Sequence, residues 1–166
     1  MLTRRHSIYY FAAAGGLAFI GMVRYRLASD AKAAEDFEVT HTDADWKKLL
    51  KPDQYAVLRQ AGTERPYTSP LDHEKRAGIF ACAGCDLPLF SSKTKFDSRT
   101  GWPSFWAPLE NALGTSEDTS FGTIRTAVHC RRCGGHLGHV FNDGPPPTRL
   151  RYCMNGVAMT FKADAA

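Results

Sequence analysis

The chain has 166 residues, 43% hydrophobic and 11% aromatic, which suffices for one domain with a real core and excludes a disordered chain. Its formal charge of +4 is local: residues 1–33 hold Arg4, Arg5, Arg24, Arg26 and Lys32 against Asp30, leaving 16 basic and 16 acidic groups in the other 133 residues. A neutral body lacks the clustered Lys and Arg on which nucleic-acid binding depends, so no nucleic-acid partner is expected.

At the N-terminus, Thr3-Arg4-Arg5 precedes an uncharged, largely apolar run of sixteen residues, Ile8 to Val23. A membrane span needs ~20 apolar residues, whereas this run has the length of a signal peptide's hydrophobic region. Ala31-Lys32-Ala33 supplies an A-x-A pattern and predicts cleavage after Ala33. The stretch T-R-R-H-S-I resembles a twin-arginine export signal, so the expected location is periplasmic. The alternative is an uncleaved N-terminal membrane anchor flanked by Arg24 and Arg26. The predicted layout is a leader over 1–33, a linker over 34–42 and one domain over 43–166.

From Asp43 to Ala61 the pattern is helical. Thr42 or Asp43 caps Trp46, Leu49 and Leu50, and Pro52 opens a second turn carrying Tyr55, Val57 and Leu58. Gly62 is the predicted stop. Tyr55 and Leu58, three apart, read as packing residues. Beyond Gly62 short apolar runs recur between turn signals: Gly78–Ala81, Pro88–Phe90, Thr123–His129, His139–Phe141 and Val157–Phe161. With 14 glycines and nine prolines in the chain, this predicts a mainly β domain of short antiparallel strands. Pro145-Pro146-Pro147 reads as a stiff surface loop.

The five cysteines cannot all pair within one chain. Cys82-Ala-Gly-Cys85 and Cys130-Arg-Arg-Cys133 form two C-x-x-C knuckles separated by 44 residues, a pattern that presents four thiolates to one tetrahedral Zn²⁺. Such a shell is closed, so the metal braces the fold without activating water. Iron suits the same four sulfurs, and paired disulfides are the other reading.

Cys153 is the remainder, in Arg149-Leu-Arg151-Tyr152-Cys153-Met154-Asn155-Gly156 at the entry to a predicted strand. Read alone it packs as a small buried hydrophobe. Its neighbours favour chemistry: Arg151 supports a thiolate by its charge, Asn155 exchanges hydrogen bonds, and strand alternation puts 151, 153 and 155 on one face. His136-Leu-Gly-His139 offers metal binding, acid–base chemistry or two structural histidines. Gly101-Trp102-Pro103-Ser104-Phe105-Trp106 offers core, wall or a ligand box.

Together YAVLRQAGTERPYTSPL, GIFACAGC, KFDS followed by GWPSF, HLGHVFNDGP and RYCMNG resemble the B-type methionine-R-sulfoxide reductases, from about Trp46 to Phe161. The resemblance implies two antiparallel sheets in a β-tent arrangement with short N-terminal helices and a structural zinc site. It implies that Cys153 is the nucleophile and that Trp102 receives the substrate's S-methyl group. His136, His139 and Asn155 surround the sulfoxide, and Arg151 contributes to binding. The implied substrates are oxidised proteins or methionine sulfoxide, reduced in the R form by a monomer. Sulfoxide reduction requires a thiolate at sulfur, a proton donor at oxygen and an apolar wall, which cysteine, histidine and tryptophan supply.

Many members carry a recycling cysteine two residues before the tryptophan; here that position is Thr100. With four cysteines in the knuckles, none remains to pair with Cys153, and an external thiol, thioredoxin-like or glutaredoxin-like, is the expected reductant. Ala127 stands where relatives often have glutamate. Glu117 and Asp118 lie in a nearby loop to which no role is assigned. The competing reading is a non-catalytic zinc-binding β module for protein or small-ligand binding, in which Cys153 is core and both histidines are structural.

Overall fold

A computed structural model describes residues 36–165; the leader expected over 1–33, its twin arginines and the cleavage point after Ala33 lie outside the described residues. The expected linker over 34–42 is docked in its described part. The Val39 N–H donates to the Arg132 carbonyl at 3.0 Å, and the Phe37 ring stands edge-on to His129 with centroids 5.7 Å apart. Gly134 makes the room, since a Cβ there would lie 2.4 Å from the Phe37 ring. An apolar residue offered a glycine floor buries there instead of trailing in water.

Helix α1 (Asp43–Leu49) starts at Thr42, whose hydroxyl accepts from the Asp45 N–H at 3.2 Å. Of the two predicted caps, the threonine is the one used. Helix α2 (Pro52–Gln60) opens on its proline, and the Gln54 side chain reaches back to the Lys51 N–H at 3.1 Å. The pair buries Trp46, Leu50, Val57 and Leu58, while the Tyr55 hydroxyl donates to Asp43 and ties one helix to the other. The stop differs from the prediction. Ala61 takes the left-handed turn at φ 54°, and Gly62 follows with its N–H on the Ala56 carbonyl at 3.0 Å. A Cβ on Gly62 would stand 2.8 Å from that oxygen, so glycine is required for close approach and not for handedness.

Nine strands among the described residues make two antiparallel sheets. In the smaller, β1 (Gly78–Cys82) lies between β2 (Pro88–Ser91) and β9 (Met159–Ala163). The larger contains β3 (Lys95–Phe96), β4 (Ser104–Phe105), β5 (Leu113–Asp118), β6 (Arg125–Cys130), β7 (His136–Phe141) and β8 (Arg151–Met154). Its order is β3-β4-β8-β7-β6-β5, so β8 is inserted between β4 and β7. The mainly β, two-sheet prediction is the observed architecture. All five predicted runs shift at an edge: β1 and β2 run one residue further, β6 starts at Arg125 and ends at Cys130, β7 begins at His136, and β9 spans Met159–Ala163 because Gly156–Ala158 form a 3-10 turn; β3, β4 and β5 had no predicted run.

Phe80, Leu89, Phe90, Phe105, Val128, Leu137 and Met154 are fully buried. Phe90 and Phe105 stack with centroids 4.2 Å apart, and Phe80 meets Phe105 edge-on at 5.0 Å. Phe105 pairs across strands with Tyr152, so the next positions, Ser104 and Cys153, turn to the opposite face of the sheet. Packing of one face thereby decides what the other presents.

Candidate active site and cysteine cluster

Cys82 ends β1 and Cys130 ends β6, and each is followed by a tight turn that returns Cys85 or Cys133 to the same place. The four sulfurs lie within 4.8 Å of one another, with Cys82 to Cys133 at 3.7 Å and Cys85 to Cys130 at 3.5 Å. A tetrahedral shell with metal–sulfur bonds of ~2.3 Å has edges of ~3.8 Å, whereas a disulfide needs ~2.05 Å. The closest sulfurs belong to different knuckles, as a shared ion requires. Arg59 donates to the Cys133 carbonyl at 2.9 Å, and the Gly84 N–H approaches Cys82 Sγ at 3.4 Å. These four cysteines fit one metal ion with no open position.

The second site follows from strand register. Ser104 of β4 faces Cys153 of β8, Cys153 faces His139 of β7, His139 faces Ala127 of β6, and Ala127 faces Ser116 of β5. Directly opposed residues project from the same face, so these five side chains form one row across the sheet. Positions two removed share that face, which adds Arg151, Phe141, Arg125 and Asp118. Over the row lies a cavity of about 270 Å³. Its walls include Trp102, Thr100, His139, Cys153, Asn155 and Arg151. It is smaller than the ~300 Å³ at which cofactor and drug-sized sites begin, and it suits one amino-acid side chain.

The predicted residues take different places around this cavity. Cys153 is half-buried in it. Its thiol is pushed up from the ordinary value by burial, with the Thr100 hydroxyl, the Arg151 charge and the Ser104 hydroxyl pulling it part of the way back. The charge of Arg151 thus acts in the expected direction but does not prevail. Its guanidinium is engaged elsewhere, making two bonds of 2.9 Å to Asp143 and lying 4.4 Å over the Phe141 ring. Trp102 lines the cavity with its indole N–H on the Glu64 carbonyl at 3.2 Å. Gly101, at φ 88°, delivers it: a Cβ there would stand 2.7 Å from the Tyr67 nitrogen.

Asn155 is buried and clamps backbone. Its amide oxygen accepts from the Glu64 N–H at 2.9 Å, and its amide nitrogen donates to the Leu137 carbonyl at 3.0 Å. It therefore shapes the wall beside Cys153. His139 lines the cavity with Nε2 2.7 Å from Asp118 Oδ2. A carboxylate only accepts, so the proton sits on Nε2, and Nδ1 is the nitrogen left to exchange one. His136 lies behind, its ring edge-on to His139 with centroids 5.4 Å apart. It is not among the residues lining the cavity, and its Nε2 is buried with no partner within the described residues.

Two residues that build the site were given no role on sequence grounds. Asp118, expected in a loop, ends β5 and is the centre of a charged group. Oδ2 accepts from His139 and from Arg125 at 2.6 Å, and Oδ1 accepts from the Ser120 N–H at 2.9 Å. The Ser120 hydroxyl, His139, the Ser120 N–H and the Arg125 charge hold its carboxyl well below the usual carboxylate range. Ala127, opposite His139, is too small to serve, and Asp118 reaches across from the next strand. Glu64 is the other omission. Its carboxylate accepts from the N–H groups of Gly156 at 2.5 Å and Val157 at 2.9 Å, while its main chain binds both Trp102 and Asn155. The opposite charges Asp118 and Arg125, seven apart around a turn, were a readable signal for the first; nothing local announced the second.

His136 carries a pH consequence. Burial first, then the neighbouring His139, lowers its value from 6.5 to about 4. A histidine lowered on folding binds its proton more readily when unfolded, so its contribution is intact above about 6.5 and is lost as pH falls towards about 4. Thermal unfolding followed across that window is expected to show a steeper loss in wild type than in His136→Asn, which does not titrate. Parallel curves for the two proteins contradict the assignment.

Residues 50–163 match the SelR domain model. The peptide methionine sulfoxide reductase MsrB of Pseudomonas putida (strain W619) is 56% identical over 126 residues, 75% of this chain and 95% of that protein. The protein of that name from Pseudomonas syringae pv. syringae is 58% identical over 116 residues, 69% of this chain and 88% of its own. The one from the archaeon Methanosarcina barkeri is 51% identical over 127 residues, 76% of this chain and 89% of its own. The family match spans the knuckles and the cross-strand row, and with these identities the chain belongs to the SelR-domain family of MsrB-type peptide methionine sulfoxide reductases.

Proposed function

We propose that this chain reduces methionine-R-sulfoxide, peptide-bound and free, to methionine, with Cys153 as nucleophile and an external thiol as reductant. The observation that carries the reading is the convergence of Cys153, His139 and Trp102 on one cavity of side-chain size. The apolar face of Trp102 receives the S-methyl group, and the sulfoxide sulfur meets Cys153 Sγ. The thiolate takes the sulfoxide oxygen as its electron pair reduces the substrate sulfur, and His139, oriented by Asp118, supplies the proton that oxygen requires. Methionine leaves and Cys153 remains as sulfenic acid.

The return to thiol draws on the neighbourhood of Cys153. Thr100 Oγ1 lies 3.9 Å from Cys153 Sγ, so a hydroxyl occupies the place from which an internal thiol would attack. One external thiol condenses with the sulfenic acid, releasing water and forming a mixed disulfide. A second resolves it, regenerating Cys153 and yielding the external disulfide. A thioredoxin-like or glutaredoxin-like protein has the chemistry for both steps. With dithiothreitol as reductant, wild type is expected to consume the R and not the S epimer, and Cys153→Ser to lose roughly a thousandfold or more in kcat/KM. One turnover without reductant should leave a single dimedone adduct, on Cys153. Turnover surviving Cys153→Ser removes the proposal.

For the four-cysteine cluster we assign zinc, because four thiolates at these spacings suit its size and its indifference to geometry. The ion braces the fold and takes no part in the redox step. Metal analysis should give one zinc per chain. Stripping it with a chelator under reducing conditions is expected to lower the midpoint of thermal unfolding sharply; a metal-free protein that melts as the loaded one does refutes the assignment.

The export reading of residues 1–33 rests on their sequence. A twin-arginine route carries proteins already folded, which would let the thiolates take up metal before meeting an oxidising compartment. A reporter fused after residue 33 should reach the periplasm, and Arg4→Lys with Arg5→Lys should retain it inside. Unimpaired export of the double variant discards the route.

A further inference from the structure

The loop entering β4 brings three hydroxyls into a line that ends on the nucleophile. Thr100 Oγ1 is 3.9 Å from Cys153 Sγ and 2.8 Å from Ser98 Oγ, and Ser98 Oγ is 2.7 Å from Ser104 Oγ. Ser104 is fully buried, faces Cys153 across the strands and donates to the Trp102 carbonyl at 3.0 Å. The loop is built for this shape: Arg99 turns at φ 59° with its N–H on the Asp97 carboxylate at 2.9 Å, and Gly101 turns at φ 88°.

Each hydroxyl has one proton, so the line has two end states in which all three donate in the same sense. In the first, Ser104 donates to the Trp102 carbonyl, Ser98 to Ser104 and Thr100 to Ser98, and Thr100 is left accepting from a Cys153 S–H. In the second, every proton swings the other way. Ser104 donates to Ser98, Ser98 to Thr100, and Thr100 to the sulfur, which must then be a thiolate. Passing from one to the other exchanges a neutral bond to the Trp102 carbonyl for a charge-assisted bond to sulfur. Charge-assisted bonds are roughly twice as strong as neutral ones. Ionisation of Cys153 thus lets Thr100 turn its hydroxyl onto the sulfur, with Ser98 and Ser104 able to follow, in a place where burial opposes the charge.

We propose that Thr100 is a catalytic residue of this chain, whose hydroxyl, backed by Ser98 and Ser104, donates to the Cys153 sulfur and holds it as the attacking thiolate. The assignment rests on Cys153 being the nucleophile and gives position 100 a role of its own. The charged and titratable groups facing this sulfur are Arg151 from its own strand and His139 from β7, with Asp118 and Arg125 behind that histidine on β5 and β6. None is altered by a substitution at 100.

The test is the pH dependence of iodoacetamide alkylation at Cys153, read by peptide mass spectrometry on the full chain. Thr100→Val and Thr100→Ala are expected to move the midpoint up by about one pH unit, with alkylation about tenfold slower below it. Thr100→Ser should restore the wild-type midpoint. The alanine and serine variants keep the result decisive if valine disturbs the loop, and thermal unfolding of each reports that directly. Unchanged midpoints in valine and alanine, or a serine variant that titrates like valine, overturn the proposal. Alkylation needs no turnover, so the two readings fail separately. An active enzyme indifferent to position 100 refutes only this inference, and a shifted midpoint in a protein that reduces no sulfoxide refutes only the reductase reading.

Discussion

The position of β8 between β4 and β7 is the constraint on which the rest depends. Its register sets Cys153 opposite Ser104 on one side and His139 on the other, with Tyr152 and Met154 turned to the apolar face. Because side chains alternate along a strand, a slip of one residue would bury the sulfur's neighbours and send Cys153 into hydrocarbon. Met154 and Phe105 are fully buried, and their packing opposes any such slip. Gly138 tightens the same junction: a Cβ there would stand 2.1 Å from the Cys153 carbonyl. The chemistry is held in place by residues that take no part in it.

The cysteine knuckles act at a distance from this row but on the same strands. Cys130 closes β6 and Cys133 leads into β7, so an ion joining them to Cys82 and Cys85 ties the larger sheet to β1 of the smaller one. The N-terminal segment completes the cover, with Phe37 over Gly134 and Val39 bonded to Arg132. Glu64 performs a comparable task on the other side of the cavity, where one residue holds the tryptophan ring, the Asn155 amide and the turn before β9.

Much of this was legible in the residues. Paired C-x-x-C spacing announced the four-sulfur cluster, short apolar runs between glycines and prolines announced β1, β2, β6, β7 and β9 but not β3, β4 or β5, and the odd cysteine among Arg151, Tyr152 and Asn155 marked the row. The illegible parts depend on which strand lies beside which. Asp118 reads as a loop acid until β5 is paired with β6, and Glu64 reads as one polar residue in TERP until its 92-residue reach to Gly156 is known. Asn155 was legible in position but not in use, because its partners are main-chain atoms that carry no sequence signature. Ala61 in a left-handed turn beside an available glycine shows tertiary packing overriding local preference.

One feature of the larger sheet reaches further. The carboxylate that orients His139 sits on β5, the outermost strand, with pairing on one side only. Marginal strands open more readily than inner ones, because fewer bonds must break. When β5 peels back, Cys153 stays seated on an inner strand and Trp102 on the loop before β4, while the imidazole loses its tether. The aim of that imidazole is therefore the most perishable part of the site, entrusted to a frayable hem rather than to the woven centre.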